Sequence, residues 1–116
     1  MIKIAICDDE PIIADVILSK ISEFRPEYKA DVYYSGESLL NSDIKYDLIF
    51  LDIEMSGIND IKTALQIRKY NKDVYIVFLT SHTEFMQDAF KVRAYRFLVK
   101  PIDENDFFES VIQAEN

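Results

Sequence analysis

The chain has 116 residues, 49% of them apolar, with 2 glycines, 3 prolines, 1 cysteine and a formal net charge of −8. That length suits one domain with one real core, and the low glycine and proline content excludes disorder, collagen-like repeats and a glycine-cradled nucleotide site. The negative charge makes this unit by itself a poor binder of nucleic acid, and the single cysteine excludes a disulfide framework.

Along the chain, apolar strand-like runs alternate with helix-like segments. A first strand is predicted near residues 2–7 and ends in Asp8-Asp9, with Cys7 as a small apolar filler. Pro11 to Phe24 reads as a helix with proline in its first turn. Its inner stripe is Ile13, Val16, Ile17, Lys20, Ile21 and Phe24, Lys20 covering an edge. Asp8 or Asp9 could alternatively cap this helix. A second strand is predicted near 30–34, then a short helix over Glu37–Leu40 after Gly36. The third strand, near 47–51, runs into Asp52. A helix follows from about Asp60 to Tyr70, with Ile61, Leu65 and Ile67 or Arg68 at helical spacing. The fourth strand, near 74–79, is apolar without alternation, as suits a strand covered on both faces, and leads to Thr80-Ser81. Glu84–Val92 reads as a helix with Thr83 as its N-cap. The fifth strand, near 96–99, ends at Lys100-Pro101. The last helix starts near Asp103 and carries Phe107, Phe108, Val111 and Ile112, one ring more than a single buried stripe needs.

Five strands each followed by a helix imply right-handed crossovers and a parallel sheet. The chain is too short for an eight-stranded barrel, so the expected class is α/β, a (βα)5 three-layer α/β/α sandwich. The first apolar stretch is only a strand long and runs straight into acids, so neither a signal peptide nor a membrane span is expected. A reducing, cytoplasmic setting is the corresponding expectation.

The charged residues at strand ends carry the functional reading, because ligands of open α/β sheets bind at the carboxyl edge. Asp8, Asp9 and Asp52 converging there would repel, a pair of like charges 4 Å apart costing about 4 kcal/mol at an effective dielectric near 20. Lys100 supplies one positive charge. A hard divalent ion held by oxygens, Mg²⁺ foremost, would relieve the remainder and keep waters for a phosphate oxygen. An aspartate can then attack phosphorus, with developing charge held by the ion and Lys100. Thr80 could offer a hydroxyl to the same group, or serve only as a turn hydroxyl.

Asp8-Asp9, Asp52, Thr80 and Lys100-Pro101, in this order and at these strand ends, resemble the receiver domain of two-component response regulators. The resemblance covers the chain from Ile2 to the last helix. It implies a flavodoxin-like, CheY-like sheet in the order 2-1-3-4-5. It also implies that Asp52 accepts a phosphoryl group from a sensor histidine kinase. Asp8, Asp9, Asp52 and the backbone carbonyl of Glu54 would hold Mg²⁺, and Thr80 and Lys100 would contact phosphoryl oxygens. Thr80 and Phe97 would switch on activation, Pro101 would follow a cis peptide bond, and Glu54 and His82 would set phosphoryl lifetime. The readout would be the fourth helix, fifth strand and fifth helix, often through a homodimer. Such a domain catalyses only its own phosphorylation and dephosphorylation and is not an enzyme for an external substrate.

Thr80-Ser81-His82-Thr83-Glu84-Phe85, Ala89-Phe90 and Phe97-Leu98-Val99-Lys100-Pro101-Ile102 are similar to receivers attached to LytTR-type DNA-binding domains. Residues 1–116 would then be a single receiver domain, stand-alone or the N-terminal part of a longer transcription regulator, meeting DNA only through that output domain. The chain departs from the family after Asp52. Met55-Ser56-Gly57 stands for Met-Pro-Gly, and Asn59-Asp60 for Asp-Gly, which should change loop rigidity and Mg²⁺ affinity.

Other phosphoryl chemistries fit less well. A Toprim nuclease wants a glutamate on the first strand, and a haloacid-dehalogenase-type site wants an aspartate where Glu10 stands. An FMN site is disfavoured by the acids after the first strand, and a P-loop frame is absent. A phosphorylation-independent interaction module is the remaining alternative, favoured only by the altered loop.

Overall fold

A computed structural model describes residues 1–53, the backbone of 57–59 and residues 60–116. The elements are β1 (Ile4–Cys7), α1 (Pro11–Phe24), β2 (Ala30–Tyr33), α2 (Gly36–Leu40), β3 (Leu48–Asp52), α3 (Gly57–Tyr70), β4 (Tyr75–Thr80), a 3-10 turn (Thr83–Phe85), α4 (Met86–Lys91), β5 (Arg96–Val99) and α5 (Glu104–Glu115). All strand pairs are parallel, in the order β2-β1-β3-β4-β5. Cys7 is in register with Leu51, Asp52 with Leu79, and Thr80 with Val99. That register brings Asp8, Asp52, Thr80 and Lys100 to one edge of the sheet.

The three central strands are apolar on both faces, which is why they read as continuous apolar runs. On one face Ile6, Phe50 and Leu79 meet α1 and α5 through Ile17, Phe107 and Val111. On the other, Ala5, Leu51 and Phe78 meet Leu39, Ala64 and Ala89 of α2, α3 and α4. Phe50 stacks on Phe107 with centroids 4.8 Å apart, and Phe24 on Phe108 at 4.2 Å and 6°. Phe108 is therefore half-buried rather than a free docking ring. Beyond that stack, Arg25 clasps Glu115, its Nε and Nη2 donating to the two carboxylate oxygens at 2.7 and 2.9 Å.

Several helix details differ from the periodicity reading. Ala14, not Val16, completes the buried stripe of α1, and Val16 is 49% exposed. In α3 the buried positions among the described residues are Ile61, Thr63, Ala64 and Ile67, while Leu65 turns outward. In both cases a small alanine allows close approach to the sheet, and a branched residue on another face of the helix, about 200° round for Val16 and about 100° for Leu65, is left outside. Ile112 is likewise largely exposed. The third helix begins at Gly57, earlier than Asp60. Thr83 is not an N-cap. It is the first residue of the 3-10 turn, the capping position falls on His82, and no side chain caps it. Neither Asp8 nor Asp9 caps α1, whose N-cap is Glu10.

Candidate phosphoacceptor and metal site

The site grows out of β-strand ends, where rigid backbone positions short carboxylates. Asp8 follows β1 and is 2% exposed. Its Oδ1 accepts the Glu10 N–H at 2.9 Å, and its Oδ2 has no hydrogen-bond partner among the described residues. Asp52 closes β3 and is also buried, while Asp9 is exposed. One oxygen from each of Asp8, Asp9 and Asp52 lies within 4.8 Å of the others. Lys100 Nζ stands 2.5 Å from Asp52 Oδ1. The Lys100 backbone N–H donates to Thr80 O at 2.8 Å, and the Lys100–Pro101 peptide bond is cis.

Burial pushes the Asp8 carboxyl above the usual carboxylate range, against the Glu10 N–H and Lys100, which pull it down, and with help from Asp9 and Glu10. The same surroundings act on Cys7, which lines the cluster. Burial first, then Asp60, Asp8, Asp52 and Asp9, raise its thiol to about 12. Three hard oxygen donors, one buried carboxylate oxygen without a partner and excess negative charge form a donor set that fits a divalent cation of the Mg²⁺ class. Glu54, whose carbonyl was expected to join them, lies outside the described residues, as do Met55 and Ser56 of the altered loop.

Thr80 is completely buried at the end of β4. Its Oγ1 accepts the His82 N–H at 3.0 Å, so in this structure it acts as a turn hydroxyl. His82 Nδ1 lies 3.8 Å from Glu84 Oε2 and its ring meets Phe85 edge-on. Phe97 is half-buried in β5, edge-on to Phe78 with centroids 6.3 Å apart. It lines a groove of about 280 Å³ that also touches Met86, Ala89 and Phe90 of α4.

A cavity of about 190 Å³ joins the three aspartates to four residues that sequence reasoning did not place there: Tyr34, Ser35, Gly36 and Asp60. Ser35 caps α2, its Oγ accepting the Ser38 N–H. Gly36 is required by close approach, since a Cβ there would fall 2.2 Å from Thr63 Oγ1 of α3. A Ser35-Gly36 pair just after a strand was the available signal. Asp60 was visible as an acid at a family glycine position, but its inward placement was not.

The family model for the response regulator receiver domain matches residues 4–112. The chain is 32% identical over 90% of its length to the sensory transduction protein LytT of Bacillus subtilis, covering 44% of that protein. It is 33% identical over 98% of its length to the sensory transduction protein LytR of Staphylococcus haemolyticus, again covering 44%. It thus spans less than half the length of these relatives. Among solved structures, the response regulator TrrA of Thermotoga maritima, in complex with Mg²⁺ and BeF, superposes with a TM-score of 0.84 at 33% identity, covering 98% of this chain and 99% of that one.

Proposed function

The chain belongs to the response regulator receiver domains of two-component systems, and on that premise we propose that it is a phosphorylation-driven switch with Asp52 as acceptor. The observation that carries this reading is the convergence of three carboxylate oxygens within 4.8 Å, with the Lys100 ammonium 2.5 Å from Asp52. Asp8, Asp9, Asp52 and the Glu54 carbonyl would hold Mg²⁺. Bound there, the ion would offset the clustered charge and orient a phosphoryl oxygen.

In the reaction, a carboxylate oxygen of Asp52 forms a bond to phosphorus while the P–N bond to the donor histidine of a sensor kinase breaks. Lys100 needs no search, because it already sits at the acceptor and can follow the charge onto the phosphoryl oxygens. Thr80 exchanges its turn contact for a phosphoryl oxygen. The half-buried Phe97 ring then moves into the space Thr80 leaves. Only a difference in phosphoryl contacts between the two arrangements can shift their populations. The exposed side chains of Phe90, at 79%, and of Met86 and Val99 support a readout or dimer face on α4 and β5. Transcription control would reside in a LytTR-type output domain of the longer regulator, consistent with relatives more than twice this length. The setting would be cytoplasmic, and the domain would act on no substrate beyond its own phosphoryl group.

The test is incubation with Mg²⁺ and acetyl phosphate, followed by intact mass and sedimentation. One labile phosphoryl group, lost in Asp52→Ala and with EDTA, is expected, with a shift toward dimer. Bound Mg²⁺ without phosphoryl uptake would overturn the reading in favour of a phosphorylation-independent module.

A further inference from the structure

Arg68, in the last turn of α3, uses its guanidinium in an unusual way. Nε donates to Val92 O at 2.9 Å and Nη2 to Arg93 O at 3.1 Å. Nη1 donates to Val74 O at 2.8 Å, Lys72 O at 3.0 Å and Asn71 O at 3.4 Å. These contacts reach five backbone carbonyls, the two N–H groups of Nη1 being shared among three of them. Three belong to the α3–β4 connection and two to the α4–β5 connection. The cation therefore caps the C-terminal end of α4 from another helix, where a positive charge is electrostatically favoured.

The two ends of α4 are held very differently. At the C-terminal end, Val92 is fully buried, and Arg93 takes a φ of 54°, a conformation costly for a residue with a Cβ. Its carbonyl and that of Val92 are the two that Arg68 grips. At the N-terminal end, neither the 3-10 turn nor α4 has a side-chain cap. That end follows directly on the Thr80–His82 contact, and Met86, its first residue, is exposed.

We propose that Arg68 is a positioning residue of the switch: it anchors the C-terminal end of α4, so that a change at Thr80 moves α4 by its N-terminal end about a pivot at Val92–Arg93. The anchor is kept in both states, so it shapes how the change is transmitted rather than which state is preferred. This rests on the reading of Asp52 as acceptor. Lysine cannot substitute, because a single ammonium carries three donors on one atom and cannot span five carbonyls.

The experiment is amide hydrogen exchange on the whole chain, with and without Mg²⁺ and beryllofluoride, for the native protein, Arg68→Lys and Arg68→Gln. In the native protein, beryllofluoride should change exchange across residues 81–90 and leave 93–95 unchanged. In either variant, 93–95 should lose protection by about tenfold, and beryllofluoride should now alter 93–95 while its effect on 86–90 shrinks. Its dissociation constant should stay within about twofold of native. A merely stabilising arginine would lower the melting temperature but leave the native response pattern in place, and that result would overturn the proposal. So would a native protein whose 93–95 amides respond to beryllofluoride. If Arg68→Gln does not fold, Arg68→Lys decides. If the native protein binds no beryllofluoride, the Asp52 reading fails instead. The anchor is then judged by 93–95 alone, loss of protection supporting it and native protection overturning it.

Discussion

On the α1/α5 side of the sheet, helices of 14 and 12 residues close over stacked aromatic rings, and Arg25 clasps Glu115 at their ends. On the opposite side α3 has 14 residues but α2 and α4 only 5 and 6, Phe97 is half-buried, and Phe90 lies open. There, polar contacts work beside the edge-on Phe78–Phe97 and Tyr33–Tyr46 ring pairs. Tyr46 donates to Asp31 at 2.6 Å, Asn71 to Tyr46 O at 3.0 Å, and Arg68 to five carbonyls. Long helices over large rings make one side hard to deform. Short helices held by a few directed bonds can be rearranged at modest cost, and this is the side on which a signal from Thr80 would travel.

The comparison breaks most visibly in the rings. Phe107→Ala should cost about 3–5 kcal/mol in chemical denaturation, because it empties a fully buried site. Phe97→Ala should cost only about 1–2 kcal/mol. Equal losses would show that the two sides are alike. Next comes Gly36→Ala, whose Cβ would collide with Thr63; a loss of about 1–3 kcal/mol is expected. Adding Thr63→Ala should recover part of it, a non-additivity that places α2 and α3 in direct contact.

Asp8→Asn tests the site edge between the two sides. It keeps an oxygen for the Glu10 N–H and removes one of the clustered charges, so the metal-free protein should gain about 1 kcal/mol. The native protein should gain about 1.4 kcal/mol from Mg²⁺ at ten times its dissociation constant, and the variant should lose that gain. The smallest effect belongs to the clasp, where Glu115→Gln should cost about 1 kcal/mol near neutrality. The Arg25 hydrogen bonds, against burial and helped by Tyr28, hold the Glu115 carboxyl down at about 2 from its ordinary 4.5. A carboxylate depressed on folding stabilises above its unfolded value. Its contribution is therefore whole above about pH 4.5 and is lost as pH falls toward 2. Denaturation midpoints of native and variant should converge over that interval.

The strand ends were legible because charge after an apolar run has one physical explanation in a parallel sheet, and register then places Asp8, Asp52, Thr80 and Lys100 together. Helix faces were less legible. Val16 and Leu65 fit the apolar spacing as well as Ala14 and Ala64 do, and only close packing on the sheet chooses the smaller residue. Thr83 has the chemistry of a cap but sits one residue inside the turn it was expected to open. Tyr34 reaches the site from the β2–α2 connection and Asp60 from the first turn of α3, and no local pattern reports that meeting. Arg68 showed only as a position at helical spacing, since its partners are carbonyls, which every residue has.

Cys7 lines the acidic cavity, with its thiol raised to about 12 by burial and by four neighbouring carboxylates. At neutral pH such a sulfur is held as the thiol, and the thiolate is the form that oxidants and electrophiles attack. The arrangement that gathers carboxylates for a cation thus also favours the thiol over the thiolate in the sulfur beside them while the cation is absent.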